Sequence, residues 1–260
     1  MKKLFHYLLL ALFLITIVAC SDDDDSTPVD ITAKAYGTWI LKVQNGQLLY
    51  NNNTLVLQLT SVRNVGVYGS IETGQDGYPK YWKEDSIIHT IKDSVITIER
   101  GTSIKIVYKV LKITNDSLIV QTQYHKYNGV DVPIGIVYKF TRGTNKFDGK
   151  LLGAWIDATT PNPVSGCKFA SDGTYNELTK DATGKWIIYT GYTDCTYHLF
   201  GDFLLMHYIA ANADNLNAWT LVGITESETD TVCTLRLSYN LPVVGEVIYD
   251  RKLKKADVGL

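Results

Sequence analysis

The sequence predicts an all-β protein built from two tandem antiparallel meanders. Apolar and polar residues alternate along one short segment after another, which is the period of a strand with one buried face. Tyrosine is frequent, with 17 residues among 260, and Tyr, Val, Ile and Thr fit the pleated surface of a sheet. Two stretches of about a hundred residues also open and close with similar motifs, and that length is typical of a domain.

The strands follow one another from residue 36 onward, at a spacing of roughly 8 to 12 residues. The clearest of them place their branched side chains on one face. These inward sets are Leu55, Leu57 and Leu59 in one strand, and Ile96 and Ile98 in a later strand. Tight turns are predicted at Asn115-Asp116, Asp172-Gly173 and Gly201-Asp202. The stretch after residue 35 shows no sustained helical period, so we expect strands throughout.

The repeat sets the predicted domain boundaries. A first unit opens with Gly37-Thr38-Trp39 and closes with residues 137–142, and a second opens with Gly153-Ala154-Trp155 and closes with residues 247–252. We expect both tryptophans to be core plugs. The predicted segments are a signal at 1–19, a tether at 20–35, a first unit at 36–142, a linker at 143–150, a second unit at 151–253 and a tail at 254–260.

These motifs resemble those of the lipocalin-like domains of bacterial surface lipoproteins. The resemblance is carried by the opening Gly-x-Trp, the hairpin at 169–175, the late turn at 113–118 and the closing Tyr-basic strand. The first unit departs from the pattern, with Arg63-Asn64-Val65-Gly66 in place of the Asp-Gly-Thr hairpin. The resemblance implies two meanders that close into small barrels or half-barrels, some of which enclose an apolar ligand.

The first 19 residues are typical of a secretory signal, with Lys2 and Lys3 before an apolar run. This run is shorter than the roughly 20 apolar residues of a membrane-spanning helix. The junction Ala19-Cys20 resembles the lipobox of bacterial lipoproteins, which implies cleavage before Cys20 and acylation of its thiol. Each buried CH₂ of an acyl chain adds about 0.8 kcal/mol to membrane attachment. We therefore expect a lipid anchor at Cys20, with ordinary secretion as the alternative.

An acidic run, Ser21-Asp22-Asp23-Asp24-Asp25, follows this cysteine directly. It resembles the signal with which some Gram-negative gut anaerobes export lipoproteins to the outer face of the outer membrane. The resemblance implies a protein anchored in the outer membrane and exposed at the cell surface. A periplasm-facing anchor and a solvated acidic spacer are the alternatives.

Charge argues against nucleic acid as a partner. The formal net charge is −2, and removal of residues 1–19 takes away two lysines and makes it −4. Nucleic-acid binding needs clustered Lys and Arg to displace counterions, and the remaining chain has no basic block. Three cysteines remain beyond the anchor, Cys167, Cys195 and Cys233, and they leave open either one disulfide or buried, inert thiols.

The sequence carries no familiar catalytic motif. Gly-x-Ser-x-Gly, His-Glu-x-x-His, a glycine-rich phosphate loop after a strand and Cys-x-x-Cys are all missing. Glu226, Glu228 and Asp230 have the residue types of a glycosidase pair, but they lie in a predicted polar connection. We expect a protein that is not an enzyme and that uses no cofactor.

Two histidines have a spacing that makes them candidate metal ligands. A turn at Gly201-Asp202 pairs Thr196 with His207, which places His207 and His198 diagonally on one face at ~7–8 Å. Cys195 and His198 lie three residues apart on a strand and therefore face opposite sides. Because a third ligand is missing, we expect sheet histidines and no metal site.

Residues 78–85 are the predicted binding segment. Tyr78, Tyr81 and Trp82 stand among proline and charged residues in a stretch that does not alternate as a buried strand does. We expect exposed rings, as in surfaces that stack sugars or peptides, and Tyr124 and Tyr127 as an extension of that surface. The alternative for Trp82 is a plug at one end of the barrel.

Together these features predict a non-enzymatic, lipid-anchored outer-membrane protein that binds a glycan, an apolar small molecule or a protein partner. The second hypothesis is a structural or accessory subunit of an outer-membrane assembly, and the third is a hydrolase with an unrecognised site. The barrel interior discriminates between ligands, since an interior filled by side chains argues against carriage of an apolar molecule.

Overall fold

The chain folds almost entirely into antiparallel β-structure, as the sequence predicts. The computed structural model describes residues 30–127, 129–227, 229–242 and 244–260, and Ile31–Leu260 form one compact unit. A closed eight-stranded barrel comes first and a second antiparallel sheet follows. The signal segment, Cys20 and the acidic run lie outside the described residues.

The first sheet has ten strands, and it follows a short helix, α1 (Thr32–Ala35). Its strands are β1 (Gly37–Gln44), β2 (Gln47–Leu48), β3 (Leu55–Leu59), β4 (Val65–Thr73), β5 (Pro79–Lys92), β6 (Val95–Arg100), β7 (Ile104–Ile113), β8 (Ser117–Tyr127), β9 (Val130–Asp131) and β10 (Val137–Gly143). A 3₁₀ turn, Asn51–Asn53, precedes β3. The barrel closes because β10 pairs with both β1 and β8, while β2 and β9 are short arms outside the ring.

The second sheet has nine strands and follows a 3₁₀ turn, Asn145–Phe147. Its strands are β11 (Gly153–Asp157), β12 (Ser165–Phe169), β13 (Tyr175–Lys180), β14 (Trp186–Ile188), β15 (Tyr192–Phe200), β16 (Phe203–Ala210), β17 (Ala213–Glu226), β18 (Thr231–Leu241) and β19 (Gly245–Ala256). Apart from the arm β14, the strand order repeats that of the first barrel, with β11 in the place of β1 and β19 in the place of β10.

The two sheets differ in how they close. In the first, β4 pairs with β5 along its whole length. In the second, the matching edge of β13 is taken by β14 from Leu178 to Lys180. Strand β15 therefore reaches the start of β13 only through the bridge between Thr174 and Thr196. The first unit is a complete barrel, and the second is a barrel with an open seam.

A buried tryptophan closes one end of each unit. Trp39 Nε1 donates a hydrogen bond to Ala35 O at 2.7 Å, and Trp155 Nε1 donates one to Leu151 O at 2.6 Å. Neither ring has measurable solvent exposure, which confirms that both are core plugs. The equal spacing of donor and acceptor, four residues in each case, shows that the repeat extends to the residues before each first strand.

The register corrects the predicted closing strand of the second unit. Arg142 lies opposite Trp39, whereas Lys255 lies opposite Trp155. Residues 250–255, and not 247–252, therefore correspond to 137–142. Strand β19 has 12 residues and β10 has seven. The Tyr-basic motif of β19 begins in the first half of this longer strand, and sequence matching aligns it with the motif of β10.

The predicted inward faces and turns are confirmed. Leu57, Leu59, Ile96 and Ile98 belong to the core of the first barrel, and Leu55 packs against it. The predicted turns join β7 to β8, β12 to β13 and β15 to β16. In the part of the chain that the structure describes, no helix is long and apolar enough to cross a bilayer.

A third apolar cluster lies between the two sheets. Its members come from the outer faces of β1 and β3 and from β16, β17 and β18; they are Ile40, Val56, Phe203, Leu205, Leu216, Ala218, Tyr239 and Leu241. Val56 is buried although its neighbour Leu57 faces the barrel interior, because β3 is covered on both sides. The two units therefore share a core. Burial of its apolar surface stabilises their contact by about 25 cal/mol per Å².

Side-chain amides reinforce that contact. Asn51 Nδ2 donates to Ala218 O at 2.8 Å and to Arg236 O at 3.1 Å. Its Oδ1 accepts a hydrogen bond from Thr220 Oγ1 at 3.2 Å. Asn51 is 5% exposed and its hydrogen bond to Ala218 O is buried, so these two groups are shielded from water and depend on each other as partners.

The three cysteines outside the masked segment are free thiols. Cys167 and Cys233 are buried, and burial raises the pKa of both thiols, that of Cys233 to about 12. Cys195 is half-buried on β15. The structure thus corresponds to the alternative of reduced thiols rather than to the disulfide.

We predict that Asn51→Ala lowers the free energy of unfolding by about 1–3 kcal/mol, because it leaves the buried carbonyl group of Ala218 without its amide donor. Urea unfolding followed by tryptophan fluorescence measures the change. Asn53→Ala is the matched control, since Asn53 belongs to the same turn but is exposed. Equal effects of the two substitutions would show that the buried amide does not hold the units together.

Candidate binding site

The predicted binding segment is the start of strand β5. Pro79 opens the strand, a position that tolerates the missing N–H. In the pairing with β4, Tyr81 lies opposite Glu72 and Trp82 lies opposite Ile71. Successive side chains of a strand point to opposite faces, so Tyr81 and Trp82 do not form one platform. The expectation of exposed rings is confirmed for Tyr78 and Tyr81, whereas the expectation of one shared stacking surface is wrong, because the rings of this stretch serve two surfaces.

Trp82 belongs to the contact between the sheets. Its ring lies 5.5 Å from that of Phe200 between centroids and fills the space beside Gly69, where a Cβ would lie 2.0 Å from the indole. Its Nε1 donates to Glu84 Oε1 at 2.6 Å. Trp82 packs against the cluster between the units, so the alternative that it plugs the barrel end is also wrong.

Tyr81 lies at the open end of the first barrel. Its hydroxyl donates a hydrogen bond to the carboxylate of Glu72, one residue before the end of β4. Glu72 lines a cavity of about 450 Å³ at this end, away from Trp39. We call this cavity the mouth pocket. Its lining residues are Tyr68, Ser70, Ile71, Glu72, His125 and Val132.

Glu72 provides a charged acceptor in the mouth pocket. Its carboxylate accepts from Tyr81 and pairs with Lys83 Nζ at 3.3 Å. The hydrogen bond from Tyr81, with the smaller influence of Lys83, holds the pKa of Glu72 below its ordinary value. The same bond raises the pKa of the Tyr81 hydroxyl. Near neutral pH the pair is a carboxylate and a phenol. The carboxylate oxygens and the phenol oxygen can therefore accept hydrogen bonds from a ligand.

His125 is the residue of the mouth pocket that sequence reasoning missed. It is 9% exposed, and neither ring nitrogen has a hydrogen-bond partner among the described residues. Burial lowers the pKa of His125, so near neutral pH its imidazole offers one donor and one acceptor. Buried polar groups normally have partners, and the cavity beside this ring has room for one.

A β-bulge explains why His125 faces inward. Val107 lies opposite Tyr124 and Tyr108 lies opposite Thr122, so Gln123 is an extra residue on β8. A bulge shifts the alternation by one residue. Thr122 therefore points inward before the bulge, and His125 points inward after it. Strict alternation in the sequence places His125 on the outside, and only the sheet register reveals the shift.

Of the other predicted tyrosines, Tyr78 and Tyr124 do not line the mouth pocket. Tyr124 is 39% exposed and lies on the opposite face of β8 from His125. The side chain of Tyr127, at the end of β8, lies outside what the structure describes. Tyr78 lies just before β5 and contacts Tyr239 of the second sheet, with ring centroids 6.4 Å apart.

The barrel interior below the mouth pocket is filled by side chains. Buried residues from its strands form one continuous cluster from Trp39 to Val110 and Phe140. Tyr108 and Tyr138 lie in this filling with ring centroids 6.0 Å apart. An interior packed in this way leaves the open end of the barrel as the place for a ligand.

The remaining candidate residues lie apart from the mouth pocket. Thr196 pairs with His207, as the turn predicts, but His207 Nε2 lies 3.0 Å from Asp214 Oδ1 and His198 stacks on Phe200. Among the described residues, no group of three His, Cys, Asp or Glu side chains is placed to hold a metal ion.

The predicted carboxylates lie at the connection between β17 and β18. Glu226 is exposed, with Lys150 Nζ at 3.9 Å, and Asp230 pairs with Lys254. Glu228 lies outside the described residues. The two described carboxylates therefore each face a lysine in a polar loop.

Comparison with known proteins adds no assignment to this geometry. The chain matches no protein-family model and no curated protein. The contacts of the mouth pocket therefore provide the evidence for a binding site.

Two buried histidines predict that acid destabilises the fold. His89 is 1% exposed and His125 is 9% exposed, and burial lowers the pKa of both, outweighing the opposite influence of the Thr60 backbone on His89. The unfolded imidazole, with a pKa of about 6.5, binds protons more readily. The stabilising contribution is therefore complete above that pH and is lost as the pH falls through it toward the lowered folded values.

We expect the free energy of unfolding to decrease from pH 7.5 to pH 5, with a shallower decrease in His89→Leu and His125→Leu. Urea unfolding at several pH values measures these slopes. The comparison with wild type removes the contribution of carboxylates such as Glu72. His198→Gln, at an exposed site, is the control with an unchanged slope. If both test variants keep the wild-type dependence of unfolding free energy on pH, the acid sensitivity does not come from these two histidines.

Proposed function

We propose that this protein is a non-enzymatic, lipid-anchored protein of the outer membrane that binds a glycan in the mouth pocket of its first barrel. The observation that carries the proposal is His125, a buried imidazole without partners, in the same cavity as the carboxylate of Glu72. Groups of this kind recognise a ligand that both donates and accepts hydrogen bonds.

The chemistry of the pocket favours a sugar over an apolar molecule. Hydroxyl groups pair well with a carboxylate and with a neutral imidazole, and each net hydrogen bond contributes about 0.5–1.5 kcal/mol. The ring of Tyr81, 45% exposed at the rim, offers an aromatic face against which a sugar ring packs. A volume of about 450 Å³ is within the range of small-molecule sites. The filled interior of the barrel leaves little room for an acyl chain.

The location follows from the amino terminus. An Ala-Cys junction after an apolar run supports acylation of Cys20, and the four aspartates after it support display on the outer face. A pocket at the open end of a barrel, with a carboxylate and an imidazole in its lining, suits a ligand that reaches the cell surface from solution. Within this proposal the protein captures its ligand and does not transform it.

Binding is tested with a glycan array, followed by calorimetric titration of the strongest ligand. We expect Glu72→Gln and His125→Phe each to lower the affinity about tenfold or more, which corresponds to the loss of one hydrogen bond of about 1.4 kcal/mol. Tyr124→Phe, on the outer face of β8, is the matched control with unchanged affinity. A ligand whose affinity is the same in all of these variants, or an array without any ligand, would refute the glycan assignment.

Anchoring is tested separately in cells. We expect Cys20→Ala to abolish incorporation of radiolabelled palmitate and to release the protein from the membrane fraction, since the acyl chains supply the attachment. Replacement of Asp22, Asp23, Asp24 and Asp25 by alanine keeps the palmitate label but protects the protein from protease added to intact cells. Palmitate labelling of the Cys20→Ala variant would place the anchor elsewhere.

A further inference from the structure

Strands β17 and β18 separate at one end of the second sheet. Their ladder runs from Glu226 opposite Thr231 to Trp219 opposite Leu237. Beyond this point residues 213–218 pair only with β16, and residues 238–241 pair only with β19. The two strands therefore face each other across a gap with unpaired edges, and edges of this kind are templates for another strand.

The backbone groups that face the gap can be identified. Ala218 N donates to the hydroxyl of Tyr239 at 3.1 Å, and Ala218 O accepts from Asn51 Nδ2 at 2.8 Å. Alternate residues of an antiparallel strand direct their N–H and C=O to the same side. Asp214 and Leu216 therefore also direct their backbone groups away from β16 and toward the gap.

The first unit already fills one part of the gap with amide groups. Asn51 bridges the carbonyls of Ala218 and Arg236 on the two sides. Asn52 Nδ2 donates to Asn240 O at 3.2 Å, farther along β18. An asparagine side chain carries the same amide group as a peptide bond. Side-chain amides of the first unit thus supply some of the hydrogen bonds that a neighbouring strand would otherwise make with the separated strands.

The unfilled part of the gap is a cleft of about 380 Å³. One wall is formed by Asn215, Leu216 and Asn217 of β17, the other by Tyr239 and Leu241 of β18, and Tyr78 covers it from the first unit. Leu216 lines this cleft although its side chain is buried in the cluster between the sheets, as expected if its backbone faces the opening. We call it the split-strand cleft.

We propose that the split-strand cleft binds an extended peptide segment of a partner protein, which pairs through its main chain with β17 at Asp214 and Leu216. Strand addition to an unpaired edge gains affinity from main-chain hydrogen bonds and selectivity from side-chain pockets. The tyrosine rings and the two asparagine amides around the cleft suit such side chains. The described linings of the cleft and of the mouth pocket have no residue in common, and the peptide proposal does not depend on the glycan proposal.

The test starts from the full chain and a library of blocked pentapeptides. The strongest binder is resynthesised with its central amide N-methylated, a change that removes one main-chain donor and keeps the side chains. We expect N-methylation to weaken binding at least tenfold. We also expect the unmodified peptide to slow hydrogen exchange of the Leu216 amide at least tenfold, as measured by NMR.

Two substitutions locate the peptide. Asn217→Trp fills the cleft and is expected to abolish peptide binding. Tyr78→Ala removes the cover without filling the space, and a loss of peptide affinity in this variant confirms the site if the tryptophan variant folds poorly. Glu72→Gln, in the mouth pocket, is expected to leave peptide binding unchanged. Three outcomes would overturn the proposal. They are a library without a binder, a binder whose affinity is insensitive to N-methylation, and slowed exchange of the Leu216 amide by N,N′-diacetylchitobiose in place of peptide.

Discussion

Unpaired strand edges are the constraint on which the rest of this structure depends. The first unit satisfies its strands by closing the ring through β4 and β5. The second unit cannot do so fully, because β14 takes the edge of β13, and its strands β17 and β18 also separate. Side chains from the first unit, with Asn51 at their centre, supply the missing partners. The contact between the units is therefore a requirement of backbone hydrogen bonding as well as of apolar burial.

The sequence was informative where local chemistry decides the outcome. Alternation identified the inward residues of β3 and β6, and Asp-Gly and Asn-Asp pairs identified turns, because both depend on neighbouring residues only. The tryptophans at the start of each unit are predictable as plugs for a different reason, because they recur with the repeat. The sequence alignment of β19 with β10 is off by three residues, since the single Tyr-basic motif of β19 begins in the first half of a long strand and only the pairing with Trp155 selects Lys255.

The candidate site was harder to predict, because two non-local features determine it. The segment with Tyr81 and Trp82 looked irregular in sequence, yet pairing with β4 makes it a strand and sends the two rings to opposite faces. The bulge at Gln123 then brings His125 inward and leaves Tyr124 outside. The exposed aromatic residues were visible in the sequence, whereas the buried histidine, which carries the functional argument, follows only from the register.

The repeat also separates scaffold from ligand chemistry. From the registers around each tryptophan, Tyr68 and Tyr138 of the first barrel correspond to Glu177 and Arg251 of the second. Neutral phenols thus occupy the positions where the second unit has a half-buried ion pair, with 3.8 Å between Arg251 Nη2 and Glu177 Oε2. The same strand order therefore supports two different interiors. A ligand that contacts the phenols of Tyr68 and Tyr138 in the first barrel would meet charged side chains at the matching positions of the second, so the two units are not two copies of one binding site.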